Sequence, residues 1–282
     1  MDIIARLFHR LSPDTTLKFS FIITWLLLDV GLFIRFGTSQ PLSTSLILYA
    51  GMVAVLFVIA ALYEKTPGPG LLFYAMSMSI LLIIPVVLFC FIAPATPAIA
   101  IDPILKRLDT LMGFHADTVA LWVQTHTGLQ AVLRFAYRSI FYELYCFIMI
   151  LAMLGDRETL QKFMLTLLFC YTFALIFYLF FPSLAPAYSY PDMTASLSQS
   201  QVIDQFFLLH HHDALYFHNL AIIAFPSFHA IWAMSIVVFA YQRKLLFYVL
   251  LVLNILVVIS AVTLGWHYLA QSLPLLFITI SY

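Results

Sequence analysis

Runs of apolar residues, each bounded by proline, glycine or charge, recur along the whole chain. A bilayer crossing needs roughly 20 such residues. Eight runs of about that length lie near 17–36, 42–63, 71–93, 131–154, 163–181, 221–241, 245–264 and 266–282. They predict an all-α, polytopic transmembrane helical bundle of about eight spans, without an internal repeat. Two connections are long. The first, 94–130, contains IDPILKRLDTLMGFHADTVALWVQ, whose charged and apolar residues alternate at helical spacing. That pattern predicts an amphipathic segment lying along the membrane interface. The second, 182–220, is polar, aromatic and marked by prolines, and reads as a loop.

Composition narrows the class. Apolar residues make up 63% of the 282 and charged residues only 9%, against roughly 25% charged in soluble domains. The mean hydropathy is +1.02. A soluble enzyme, a disordered chain and a disulfide scaffold are thereby excluded. A formal net charge of zero leaves no basic excess for phosphate backbones, which excludes a nucleic-acid partner. Cys90, Cys146 and Cys170 all fall within apolar runs and read as buried, inert thiols. The basic N-terminus precedes an apolar run with no small-residue cleavage site after it, so the first span is expected to be retained.

Charge also orients the bundle. With the N-terminus cytoplasmic, the inner side holds eight basic residues: Arg6, Arg10, Lys18, Lys65, Arg157, Lys162, Arg243 and Lys244. The outer loops hold three, Arg35, Lys106 and Arg107, and none lies in 182–220. The excess predicts an integral protein of a bacterial cytoplasmic membrane, with the long loop facing the periplasm or exterior.

Ionisable residues inside spans are costly and mark candidate sites. Asp29, in the first span, is expected to make a helix-packing hydrogen bond. Arg134 and Arg138 share a face of the fourth span, four residues apart, and a guanidinium fork suits a phosphate. The sixth span opens AFPSFHAIWAM, in which Pro226 and Ser227 suit a helix start and His229 follows one turn in. The last opens TLGWHYLAQSL, with His267 at its start and Gln271 four residues on. Arg138, His229, His267 and Gln271 therefore share one depth on one side, an arrangement suited to a phosphate ester. The HHHD run, His210 to Asp213, with His218 after it, is read as a solvated or interfacial loop, because adjacent histidines rarely meet the geometry of a metal site.

The segments FPSFHA at 225–230 and GWHYLA at 265–270 resemble the second and third signature segments of the type 2 phosphatidic acid phosphatase superfamily. YLFFPSLAPAYSY at 178–190, IDPILKRLDTLMGF and FAYRSIFYELY are similar to the branch containing inositol phosphorylceramide synthase and sphingomyelin synthase. The resemblance covers roughly 100–271. It implies a six-helix phosphatase-like core, here 71–282, preceded by two N-terminal transmembrane helices in 1–70, with 94–130 interfacial and 182–220 as outer loop. It implies a lipid phosphate substrate among membrane lipids, no cofactor and no metal; oligomeric state stays open. By resemblance His267 is the nucleophile that forms a phosphohistidine, His229 the acid, and Gln271 the third catalytic position. Arg134, Tyr137, Arg138, Ser227 and Tyr268 are the expected substrate-binding residues.

The chain departs from the family pattern. Gln271 stands where the family has an aspartate, and Ala261 where the wider superfamily has an arginine. The chain ends at Tyr282, which gives a last span of about 24 Å against a core of roughly 30 Å. These features predict an altered or truncated C-terminus or a member with impaired catalysis. The alternative function is a non-catalytic lipid-binding membrane protein that retains the scaffold. A transporter is disfavoured, because midplane charges on several helices and matching halves are lacking.

Overall fold

The computed structural model describes residues 11–36, 44–190, 193, 196–211 and 225–271. Among these the chain is entirely helical apart from its turns. Five helices are long and apolar enough to cross a membrane: α1 (Pro13–Phe36), α3 (Pro69–Ile92, continued by a 3-10 turn at Ala93–Ala95), α6 (Thr127–Met153), α7 (Arg157–Phe180) and α11 (Lys244–Thr263). Two more apolar helices take part in the bundle, α2 (Thr44–Tyr63) and the shorter α10 (Phe228–Ala240). Between the spans lie α4 (Asp102–Leu111), α5 (Ala116–Thr125), α8 (Pro186–Ser189) and α9 (Leu197–His210). The expected eighth span, 266–282, is described only through Gln271, where a helical turn covers 269–271.

Local chemistry sets the boundaries. Ser12 accepts the Thr15 N–H ahead of α1, with Pro13 in the first helical position. Asp156 accepts the Thr159 N–H (3.1 Å) and starts α7. Ser196 and Gln199 form a reciprocal capping box on α9. Gly68 (φ +60°) makes the turn into α3 in a conformation that only glycine adopts without strain.

The bundle interior is one cluster drawn from α1, α2, α3, α6, α7, α10 and α11. Lipid tails are as apolar as leucine, so close packing rather than water exclusion holds spans together, and small residues at contacts permit it. Ala75, Ala152, Ala174, Ala233 and Ala240 are buried in that cluster, among interlocked rings such as Trp25–Phe89 and Phe147–Phe163.

Alternation of the spans produces two unlike ends. At one, Ser12, 64–66, Asp156, Arg157 and Arg243 meet: Glu64 accepts the Ser12 N–H (2.8 Å), Arg157 donates to the carbonyls of Glu64 and Thr66, and Arg243 pairs with Asp156. The other gathers 93–126, 181–190, 196–211, 225–227 and 264–271.

Several expectations are corrected. The 94–130 segment is two ten-residue helices, α4 and α5, because Gly113 (φ +74°) breaks it. The 182–220 segment carries α8 and α9, and Val202, Phe206 and Leu209 of α9 pack with Leu184 and Trp266. Lys18, counted above with the inner loops, is fully buried in α1, where it donates to Gln161 Oε1. Asp29 is buried, yet neither carboxylate oxygen has a hydrogen-bond partner among the described residues. Cys146 is exposed on the outside of α6, whereas Cys90 is buried as expected.

Candidate active site

Ser227 builds the site by starting a helix. Its Oγ accepts the Ala230 N–H (3.3 Å), which fixes the first turn of α10 and carries His229 on that turn. At 13 residues α10 is shorter than α11, with 20. At 1.5 Å per residue its length falls about 10 Å short of α11.

His267 arrives by a different route. Gly265 (φ +74°) turns the chain out of α11, and a Cβ there would strike Met193 Cε. The amides of Trp266 and His267 then donate back to the Ala261 carbonyl (3.1 and 3.0 Å), and Gln199 of α9 braces the turn through the carbonyls of Leu264 and Gly265 (3.0 Å each). The imidazole of His267 comes to rest with Nε2 3.2 Å from Ser227 Oγ. The centroids of His229 and His267 are 5.7 Å apart, and both residues are buried.

Aromatic rings fix His229 from two sides. Tyr137 of α6 stacks on it (centroids 4.0 Å apart) and stacks in turn against Trp266 (5.6 Å), so one ladder of rings joins the two histidine segments. Phe141 meets His229 edge-on at 5.5 Å. His229 Nε2 is buried and has no hydrogen-bond partner among the described residues. Both histidines line a cavity of about 340 Å³ that runs inward past Tyr137, Phe141, Tyr171 and Trp232 to apolar side chains of α3 and α7. Trp232 donates its indole N–H to Tyr171 (2.8 Å), which satisfies both groups within the wall.

Gln271 is fully buried, and its side chain is engaged at both ends: Oε1 accepts the Tyr268 N–H (3.1 Å) and Nε2 donates to Ser183 Oγ (3.3 Å). Ser183 leads on to Asp102 (3.4 Å), which also accepts the N–H groups of Leu184 and Ala185 and the Tyr268 hydroxyl (3.0 Å). Tyr268 is thus a buried strut between Asp102 and Ser189 rather than a cavity residue. Asp109, one face of α4 further on, accepts the N–H groups of Leu269 and Ala270 (3.0 and 2.8 Å) and caps the turn that follows His267. Burial pushes both carboxyls above the ordinary carboxylate range, against the pull of those N–H groups.

The structure therefore brings together His229, His267, Ser227 and Tyr137, with Gln271 and Tyr268 held just behind them. Arg134 and Arg138 are elsewhere: both are exposed and line a separate groove on another face of α6, with Glu143 at its deeper part. Sequence shows how deep Arg138 lies but not which way the helix turns it. Asp102 and Asp109 are not singled out by an interfacial amphipathic pattern, which places charges without naming their partners. One signal was present, since Asp102, Leu105 and Asp109 recur at i, i+3 and i+7, and all three are buried. His210 and His211 each donate from Nδ1 to a backbone carbonyl, those of Pro94 (3.0 Å) and Phe207 (2.8 Å); the rest of the histidine run lies outside the described residues. Among the described residues no cluster fit for a metal ion occurs.

A family profile described as the PAP2 superfamily matches residues 103–273, more than half of the chain. The chain belongs to the PAP2 superfamily. That match takes in both histidines, Gln271 and Asp109, begins one residue after Asp102, and leaves α1, α2 and α3 outside it. PAP2 membership supports lipid phosphoester chemistry in general, with lipid phosphates as substrates and the membrane as location. No curated protein and no solved structure matches the chain.

Proposed function

We propose that this PAP2 protein is a lipid phosphatase or headgroup phosphotransferase working through a phosphohistidine on His267. The observation that carries the reading is the pair of imidazoles 5.7 Å apart at one cavity. Rings that close can both reach one bound phosphoryl group through hydrogen bonds of ordinary length. Ser227 Oγ accepts from Ala230 and has its own hydrogen to give to His267 Nε2; on this reading that nitrogen is the acceptor and the ring proton is on Nδ1. A bound substrate displaces the hydroxyl, and Nε2 attacks phosphorus. As the P–O bond to the leaving alcohol breaks, protonated His229 gives its Nε2 proton to that oxygen. Water or an acceptor hydroxyl then attacks the phosphohistidine, returns a proton to His229 and breaks the P–N bond. The stacked Tyr137 holds the His229 ring in place, and the apolar cavity is suited to a lipid chain.

Gln271 supplies no charge to this machinery. In a serine-protease triad the loss of the orienting aspartate costs about 10⁴ in turnover, and impaired catalysis of that order is part of the proposal. The same observation favours the second reading, a lipid-binding protein that keeps the scaffold without turnover. The chain is divided, on this reading, into two N-terminal helices and a core from about residue 71. The excess of basic residues at the opposite end supports a site on the periplasmic or exterior face of a bacterial membrane.

The test is phosphate release, or transfer to an acceptor, from short-chain lipid phosphates by the purified protein. The expected result is slow turnover with an acid-labile, base-stable phosphoenzyme that disappears in His267→Ala. Binding of the same lipids without any phosphoenzyme would establish the second reading instead.

A further inference from the structure

The groove between α6 and α11 has a volume of about 700 Å³, within the roughly 300–1,000 Å³ of ordinary ligand pockets. Arg134 and Arg138 stand at its outer part, and Phe135, Phe147, Leu246 and Leu250 supply apolar wall. It lies on a different stripe of α6 from Tyr137 and Phe141, which serve the histidine cavity.

Depth makes this pair of arginines unusual. Counting back from Met153 at 1.5 Å per residue, Arg134 is about 28 Å and Arg138 about 22 Å from the far end of α6, against a hydrocarbon core of roughly 30 Å. Arg134 therefore reaches the boundary, but Arg138 lies about a turn inside it, level with the Tyr137 ring that stacks on His229. Both are exposed, and neither has an ion pair or a hydrogen bond among the described residues. Their neighbours on the outside of the helix are Val132, Phe135 and Tyr142, all exposed, as lipid-facing residues are. A guanidinium among acyl chains with its donors unused is costly. Glu143, the carboxylate that lines the groove, forms no ion pair with either arginine; its oxygens take hydrogen bonds from Ser139 Oγ (2.5 Å) and Asn254 Nδ2 (2.9 Å).

We infer that this groove is a second lipid site, in which the phosphate of an anionic phospholipid sits on Arg134 and Arg138 and one acyl chain follows the apolar wall. Two forks one helical turn apart match a phosphodiester, which accepts hydrogen bonds on two oxygens. No described residue pairs with the positive charge, so an anionic headgroup is favoured over a zwitterionic one. The occupant comes from the surrounding leaflet, and the inference stands whether or not the histidines are catalytic.

Native mass spectrometry of the detergent-solubilised full chain tests it, in a His229→Ala/His267→Ala background that removes the histidine cavity as a competing phosphate site. The expected result is one retained phosphatidylglycerol with at least a tenfold preference over phosphatidylcholine, undisturbed by millimolar inorganic phosphate. Arg134→Gln/Arg138→Gln should abolish the preference, and Arg134→Lys/Arg138→Lys should keep part of it, which separates loss of charge from loss of fold. Equal retention of the two lipids, a preference that survives the glutamine pair, or displacement by inorganic phosphate would each overturn the inference. Failure of the catalytic reading is recorded separately, as absence of turnover in the unmodified chain.

Discussion

The two ends of the bundle handle charge in opposite ways. At the end away from the histidines, charge meets charge: Asp156 pairs with Arg243 and Glu158 with Lys162, the two ion pairs found among the described residues. At the histidine end the buried carboxylates Asp102 and Asp109 instead accept backbone N–H groups and hydroxyls. The first end is held by pairs whose energy water screens. The second is held by satisfied polar groups in a drier setting, where each unmade bond is expensive. The difference teaches that the aspartates near the site shape the loops that carry the histidines, through 182–185 and 268–270, rather than placing charge beside the imidazoles.

The comparison breaks most severely at the histidines themselves. His267→Ala is expected to abolish phosphoenzyme formation, and His229→Ala to lower turnover by about 10²–10⁴, the usual worth of a positioned proton donor. Single-turnover release from a lipid phosphate measures both. If His229→Ala turned over normally, the division of labour between the two rings would be wrong.

Next in size is Asp102→Ala. It strands the N–H groups of Leu184 and Ala185 and one partner of Tyr268 in a buried setting. Each unsatisfied donor costs about 1–3 kcal/mol. A fall in thermal stability much larger than that of Asp156→Ala at the other end is therefore expected in the same detergent. Equal falls would erase the distinction between the ends.

Gln271→Asp sharpens the point about displaced charge. By family pattern alone, the substitution restores a missing aspartate and should raise the rate. The structure argues otherwise, because Ser183 joins position 271 to Asp102, and an aspartate there would set two carboxylates around one hydroxyl. The expected outcome is no gain in turnover and a modest loss of stability, whereas Asp102→Asn/Gln271→Asp, which leaves one carboxylate, should recover stability. A tenfold gain in rate from Gln271→Asp alone would show that a carboxylate at 271 can serve the site without disturbing Asp102.

Much of this architecture was legible in the sequence because membrane spans announce themselves by length and composition, and the Pro226–Ser227 helix start marked where His229 would stand. Depth was legible as well, since residue count along a helix converts directly to distance. Azimuth was not. Arg138 and Tyr137 are adjacent in sequence and equal in depth, yet they face different cavities, and only the packing of α6 against its neighbours decides which. The partners of buried polar groups were equally hidden. Nothing in the residue types says that Asp109 caps a turn 160 residues away, or that Gln271 spends its amide on Ser183.

The smallest expected effect is a difference in the pH dependence of stability. Asp102 and Asp109 have folded-state pKa values raised by burial, so the folded protein keeps their protons to higher pH than the unfolded chain does. Their stabilising contribution is full below the unfolded carboxylate value and declines as pH rises through the raised range. Asp156 runs the other way. Burial raises its pKa, but the Arg243 and Thr159 hydrogen bonds outweigh that and hold it below the ordinary value. Its contribution is present above the unfolded value and is lost as pH falls through the folded one. Thermal stability measured against pH should therefore show Asp102→Asn and Asp109→Asn removing a decline on the upward side of the carboxylate range. Asp156→Asn should remove a decline on the acid side. If the aspartates at both ends behaved alike, the histidine end would be wetter than its buried carboxylates imply, and the case for loop-shaping by satisfied, desolvated groups would fail with it.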